Sequence, residues 1–182
     1  MELGEFPCIG WSSSQSKNEE IIKQFLKIRP SNRWLMLGFH VALSNNQLWT
    51  AWHCCERRHL RETKLARSID AEFIRYLAGT HHVSEAFSKA GLADGDSKGW
   101  LVYLPESGGF IDQSVTPLPN FHQDFDNGSN QIIQDLNLEK LDDAPKLNVD
   151  YAIKLGLDRE NLSEENLEDS LTAFILSSEF NS

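Results

Sequence analysis

No stretch of this chain approaches the roughly 20 consecutive apolar residues that cross a bilayer, so a membrane-spanning protein is not expected. The opening segment, Met1 to Trp11, begins with an acid and lacks both a basic start and a long apolar centre, so it does not read as a signal peptide. A cytoplasmic location is the expectation. Three cysteines, Cys8, Cys54 and Cys55, are too few for a disulfide framework. Adjacent Cys54 and Cys55 point to different helix faces and read as small packing residues in a reducing compartment.

The usual chemical motifs are missing as well. There is no GxSxG, GxGxxG, P-loop or HExxH, and no CxxC pair. His53, Cys54, Cys55, His59, His81 and His82 lie close in sequence. But consecutive residues on a helix cannot offer three ligands to one tetrahedral ion, and neighbours such as His81 and His82 splay apart. No metal, no cofactor and no catalytic constellation is therefore expected, and the chain does not read as an enzyme. Bases are absent from one region too: from Glu160 to the C-terminus there are six acids and no Lys or Arg.

What is present is a globular composition, with 40% hydrophobic and 24% charged residues over 182 positions, enough for one domain with a core. The spacing of Ile21, Ile22, Phe25, Leu26 and Ile28 predicts a helix that ends before Pro30. "RWLMLGFHVAL" reads as a central strand. Ser44 and Gln47, three apart, have the spacing of a capping box and predict a helix running to about Lys64. Ser68 can cap the next helix, whose buried stripe is Ile69, Phe73, Tyr76 and Leu77. Gly79 sits where a left-handed residue ends a helix, Thr80 can cap the following one, and Gly91 closes that one in turn. "GWLVYLP" is a strand stopped by Pro105. From 106 to 147 the punctuation by Gly and Pro predicts a long loop-rich excursion, with room for a short helix near "NQIIQDLNLEKL". A short helix ended by Gly156 and a last helix carrying Leu167, Leu171, Phe174, Ile175 and Phe180 complete the chain. The expected class is α+β, a small, mostly antiparallel sheet covered by several helices in a single domain spanning 1–182.

The charge is uneven. Net charge is -10, which argues against gross nucleic-acid affinity, and no DNA partner is expected. Yet Arg57, Arg58, Arg61, Lys64 and Arg67 fall within eleven positions that hold one acid, Glu62. Such a stripe is either a solvated helix face or a phosphate-backbone site. Screening confines fields to about 8–10 Å in physiological salt, so a local stripe can bind phosphate on an acidic protein. The corner at Gly79-Thr80-His81-His82 could bring Arg75, His81 and His82 beside it, with the free N–H groups of a helix start. Trp49 and Tyr76 have rings that could stack on unpaired bases, although core packing is the simpler reading for both.

"LARSIDAEFIRYLAGTHHVSEAFSKAGL" followed by "GWLVYLP" resembles the tRNA-binding subunits of the KEOPS complex, relatives of the PRPK-binding protein. A basic helix runs into Ala66-Arg67; then come Glu72, the Tyr76-Leu77-x-Gly79 ending, Val83 and Ala86, Gly91 and a hydrophobic strand. "YAIKLGLDRENL" resembles the family's short helix ending in Gly. The resemblance covers about half the chain well. It implies a subunit that is not the transferase of a complex making threonylcarbamoyladenosine beside the anticodon. It implies two partners: tRNA, held by its single-stranded CCA tail, and a small atypical kinase/ATPase that the subunit docks on and supports. The tRNA contacts then fall on the basic and polar positions Arg57, Arg58, Arg61, Lys64, Arg67, Arg75, His81 and His82. The kinase contact maps onto Leu171, Phe174 and Ile175. The alternatives left open are a protein-interaction module without RNA binding, and a small-molecule enzyme with a site among the helices and Ser107-Gly108-Gly109-Phe110.

Overall fold

The computed structural model describes residues 3–14, 18–93, 95–108, 117–120 and 125–180. Four strands, β1 (Cys8–Ser12), β2 (Trp34–Gly38), β3 (Lys98–Tyr103) and β4 (Glu139–Lys140), form one sheet in the order β2-β3-β1-β4. Every registered pairing is antiparallel, with Leu37 opposite Trp100 and Gly10 also opposite Trp100 from the other side. The helices are α1 (Asn18–Ile28), α2 (Asn45–Leu60), α3 (Ile69–Leu77), α4 (Val83–Ala90), α5 (Phe125–Asp135), α6 (Val149–Leu155) and α7 (Leu167–Ser177). The α+β class read from the pattern is the architecture observed. Among the described residues no helix is long and apolar enough to cross a membrane.

Strand alternation sorts the core into two layers, because successive side chains point to opposite faces. Leu35, Leu37, Trp100 and Val102 pack on one face against α2, α3 and α4; Trp34, Met36 and Leu101 pack on the other against α1 and α5. Both faces of β2 are covered, which explains its unbroken apolar run. The expectation of a central strand is corrected in one respect: β2 lies at the end of the sheet order. Its backbone is met there by side chains, since Arg29 Nη1 donates to the Trp34 carbonyl at 2.9 Å. Within 106–147 the described residues hold α5 and β4. A third cluster, Leu43, Ala152, Leu157, Leu167 and Leu171, fastens α6 and α7 to the start of α2.

Helix α3 shows how tightly the helical layer closes. All nine of its residues are buried, the charged Asp70, Glu72 and Arg75 included. α2, α4 and α7 all pack around it. A helix buried all round must pair its charges internally. Glu72 Oε1 meets Arg75 Nη2 at 2.6 Å, Glu72 Oε2 accepts from the Ala66 N–H, and Arg75 Nη1 donates to the Thr80 carbonyl. Cys54 and Cys55 are free thiols in the same core.

Candidate nucleic-acid and kinase interface

The capping box read from the sequence sets where the basic segment starts and ends. Ser44 Oγ accepts from the Gln47 N–H at 3.0 Å, and Gln47 Oε1 accepts from the N–H groups of Ser44 and Leu43. From there α2 runs to Leu60, a turn shorter than expected, and the chain leaves it through Glu62 at φ 57. Arg57, Arg58 and His59 thus occupy the last turn, where the negative end of the helix dipole favours cations.

The stripe is less uniform than its spacing. Arg61 and Arg67 are exposed. Lys64 donates to His59 Nδ1 at 2.9 Å, so His59 accepts with its neutral ring. Burial first, then the Lys64 charge, lowers the His59 pKa. His53 turns its Nδ1 to the Trp49 carbonyl at 2.8 Å, and burial lowers its pKa as well. Arg58 donates through Nε and Nη2 to Glu179 Oε2 at 3.2 and 3.0 Å and through Nη1 to the Thr63 carbonyl. Arg57 Nη2 lies 3.6 Å from Glu179 Oε1. One carboxylate of the C-terminal segment therefore holds two arginines of α2. Burial opposes ionisation of Glu179, but the adjacent Tyr76 hydroxyl and the charges of Arg58 and Arg57 prevail and hold its pKa below the usual glutamate value. The Tyr76 hydroxyl itself lies beside this cluster without a well-formed hydrogen bond.

Arg75 does not join the surface group. At 0% exposure it is consumed by Glu72 and Thr80, which corrects the expectation that it faces outward with the histidines. Trp49 and Tyr76 are core residues, the Trp49 indole N–H donating to the Gly4 carbonyl. The corner itself differs in detail from its expectation. Gly79 has φ 61, the left-handed ending foreseen for it. The N-cap of α4 is His82, whose side chain makes no capping hydrogen bond, and not Thr80. The Thr80 hydroxyl instead accepts from the His82 N–H, one position before the helix, and donates to Glu85. His82 is exposed; His81 is half-buried, with Nε2 enclosed and without a hydrogen bond. Gly91 closes α4 in extended backbone at φ -75, not in the left-handed form expected of it.

The three residues assigned to kinase contact also separate. Leu171 and Ile175 are 1% and 0% exposed and belong to the core, which corrects their placement on an outer surface. Phe174 is half-buried, its ring against Gly79 and Gly156. The outward side of α7 and the turn after it instead carries Asp169, Ala173, Leu176 and Phe180, spaced four, three and four apart. Leu176 is 39% and Phe180 84% exposed. Sequence reasoning passed over Leu176, although it lies one residue beyond the buried Ile175, off the inward stripe.

α7 and the turn after it thus touch both candidate regions, with Phe174 of α7 on the Gly79 corner and Glu179 of the turn on Arg57 and Arg58. Of the Ser107 to Phe110 stretch, Gly109 and Phe110 lie outside the described residues. Ser107 serves structure, its hydroxyl and N–H both donating to the buried Glu56 that Arg33 also grips. Among the described residues no group of three or more His, Cys, Asp or Glu side chains converges as metal ligands do.

Comparison with curated proteins returns no match. The model of a protein family described as kinase binding protein CGI-121 does match, over residues 14–178, which take in the basic segment, the Gly79 corner and α7 and stop short of Glu179 and Phe180. The chain belongs to the CGI-121 family of kinase-binding proteins, which supports a kinase-binding role for it.

Proposed function

We propose that this protein is a non-catalytic subunit of the KEOPS tRNA-modification complex, the assembly that makes threonylcarbamoyladenosine beside the anticodon. In this reading it binds tRNA, taking hold of the 3′ CCA tail, and docks on the complex's small atypical kinase/ATPase, whose activity it supports. The observation that carries the kinase half is membership of the CGI-121 family. The exposed Leu176 and Phe180 on the outer side of α7 give such a partner an apolar landing place. The RNA half rests on the cations gathered at the end of α2, with exposed His82 at the neighbouring corner, on a chain that is otherwise strongly acidic.

The test is a binding titration with intact and CCA-trimmed tRNA, with and without the purified kinase. Salt-dependent binding, weakened by trimming and by replacing Arg57, Arg58 and Arg61 with Glu, is expected. Equal affinity for trimmed and intact tRNA removes tail recognition. One observation favours a second reading, a protein-interaction module without RNA binding: Arg57 and Arg58 already have a carboxylate partner in Glu179. That reading expects capture of the kinase and no tRNA binding at any salt concentration.

A further inference from the structure

Arg58 has little left to offer an incoming anion. The Nε and Nη2 edge of a guanidinium is the fork that grips a carboxylate or a phosphate through two parallel hydrogen bonds. In Arg58 that edge is filled by Glu179 Oε2, and Nη1 is given to the Thr63 carbonyl. The other oxygen of the same carboxylate faces Arg57. A phosphate approaching these two arginines meets an anion already seated in the position it would take, and is repelled by it.

The residue bearing that anion lies just beyond the end of α7, in a turn. Ser178 is buried, and its hydroxyl donates to the Ile175 carbonyl at 2.7 Å, so the end of α7 is pinned there. Beyond it, Glu179 and Phe180 are held by single backbone bonds to Leu176 and Ser177, at 3.0 and 3.2 Å. Phe180 projects into solvent. Beside these backbone bonds the turn is held by the Glu179 side chain, through its ion pairs with Arg58 and Arg57. A turn at a helix end held by so few bonds opens more readily than the core behind it.

We infer that Glu179 is an internal competitor for phosphate, a clasp that keeps Arg57 and Arg58 closed until RNA, the ligand class of the proposed function on which this inference rests, displaces it. Phosphate occupancy and the position of the Glu179-Phe180 turn are then linked. By reciprocity, whatever draws that turn away raises affinity for RNA by the same factor that RNA lowers the hold on the turn.

The experiment compares tRNA titrations of the wild-type chain, Glu179→Gln and Arg58→Glu across a salt series. Freeing the arginines is expected to tighten binding by roughly three- to thirty-fold and to steepen the slope of log K against log salt. Each additional phosphate neutralised adds about 0.7–0.9 to that slope. Identical affinity and slope for Glu179→Gln and wild type, with binding lost in Arg58→Glu, overturns the clasp while leaving RNA binding intact. No binding by either wild type or Glu179→Gln overturns the RNA reading itself. A second measurement needs no substitution. In isotope-labelled wild-type protein, the Glu179 carboxylate and Arg58 Nε–H resonances are expected to shift together on titration with a short single-stranded RNA ending in CCA. A Glu179 resonance that stays fixed at RNA saturation overturns the proposal.

Discussion

The ring of Phe174 rests on the backbone of Gly79, so close that a Cβ at that position would lie 2.6 Å from Phe174 Cζ. Two constraints coincide there: φ is 61, which disfavours any Cβ, and the space is already taken. The α3–α4 corner and the C-terminal helix therefore fix one another. Gly79→Ala is expected to destabilise the protein by about 2–4 kcal/mol, combining left-handed strain with overpacking. Chemical denaturation of Gly79→Ala, Phe174→Leu and the double variant checks this. The double variant is expected to lose less than the sum of the singles, and strict additivity would mean that the contact contributes nothing.

The buried pair of Glu72 and Arg75 yields a second expectation. Both side chains are fully enclosed, so removing one leaves the other charged and unpaired in the core. Glu72→Ala is expected to cost about 3–5 kcal/mol, a size typical of broken buried pairs. The double change Glu72→Leu with Arg75→Met is expected to be milder, since an apolar pair of similar volume leaves no stranded charge. Urea midpoints decide the matter, and a double variant as unstable as Glu72→Ala would contradict it. Neither change is expected to alter the salt slope of RNA binding, because Arg75 never reaches the surface.

These two sites mark what the sequence could and could not disclose. The capping box at Ser44 and Gln47 and the helix ending at Gly79 were legible because each depends on residues a few positions apart. The strand over Gly99 to Pro105 announced itself by composition and by its proline stop. The fate of Arg75 was not legible: its helix looks amphipathic by spacing, and only the packing of α2, α4 and α7 around α3 removes the outer face. The apolar side of the last helix was legible from spacing, but that Leu171 and Ile175 face the core and not a partner follows only from its packing on the other helices. The Arg58 to Glu179 contact joins residues 121 positions apart, and nothing local in either segment signals it. Thr80 and His82 differ by two positions, within the one or two residues by which helix ends commonly shift.

The two sides of α7 separate docking from folding. Leu176 and Phe180 face outward, while Leu171 and Ile175 fill the core. Phe180→Asp and Leu176→Asp are expected to leave the melting temperature within about 2 °C of wild type, as surface changes of under about 0.5 kcal/mol do. They are expected to weaken kinase capture by tenfold or more if this face is the landing place. Leu171→Asp and Ile175→Asp are expected to unfold the chain, since each buries an unpaired charge. Isothermal titration against the kinase, with melting curves alongside, checks both halves. Full kinase affinity in a Leu176→Asp, Phe180→Asp double variant would place the interface elsewhere.

The clasp also has a pH signature with a definite sign. Glu179 ionises more readily in the folded chain than a free glutamate, whose pKa is near 4.5, because the Tyr76 hydroxyl, Arg58 and Arg57 together outweigh the burial that opposes its charge. A group with a depressed folded pKa contributes stability that is complete above its unfolded value and is lost as pH falls through its folded value. The stability difference between wild type and Glu179→Gln is therefore expected to be full at pH 7, about 1 kcal/mol for charge-assisted hydrogen bonds partly screened by solvent. It begins to shrink as pH drops below the ordinary glutamate range and narrows further in stronger acid. Taking the difference between the two chains cancels the other carboxylates, which titrate in both. Urea midpoints at pH 7, 5, 4 and 3 supply the comparison. A difference that is constant across this series would mean that Glu179 contributes through packing and not through its charge.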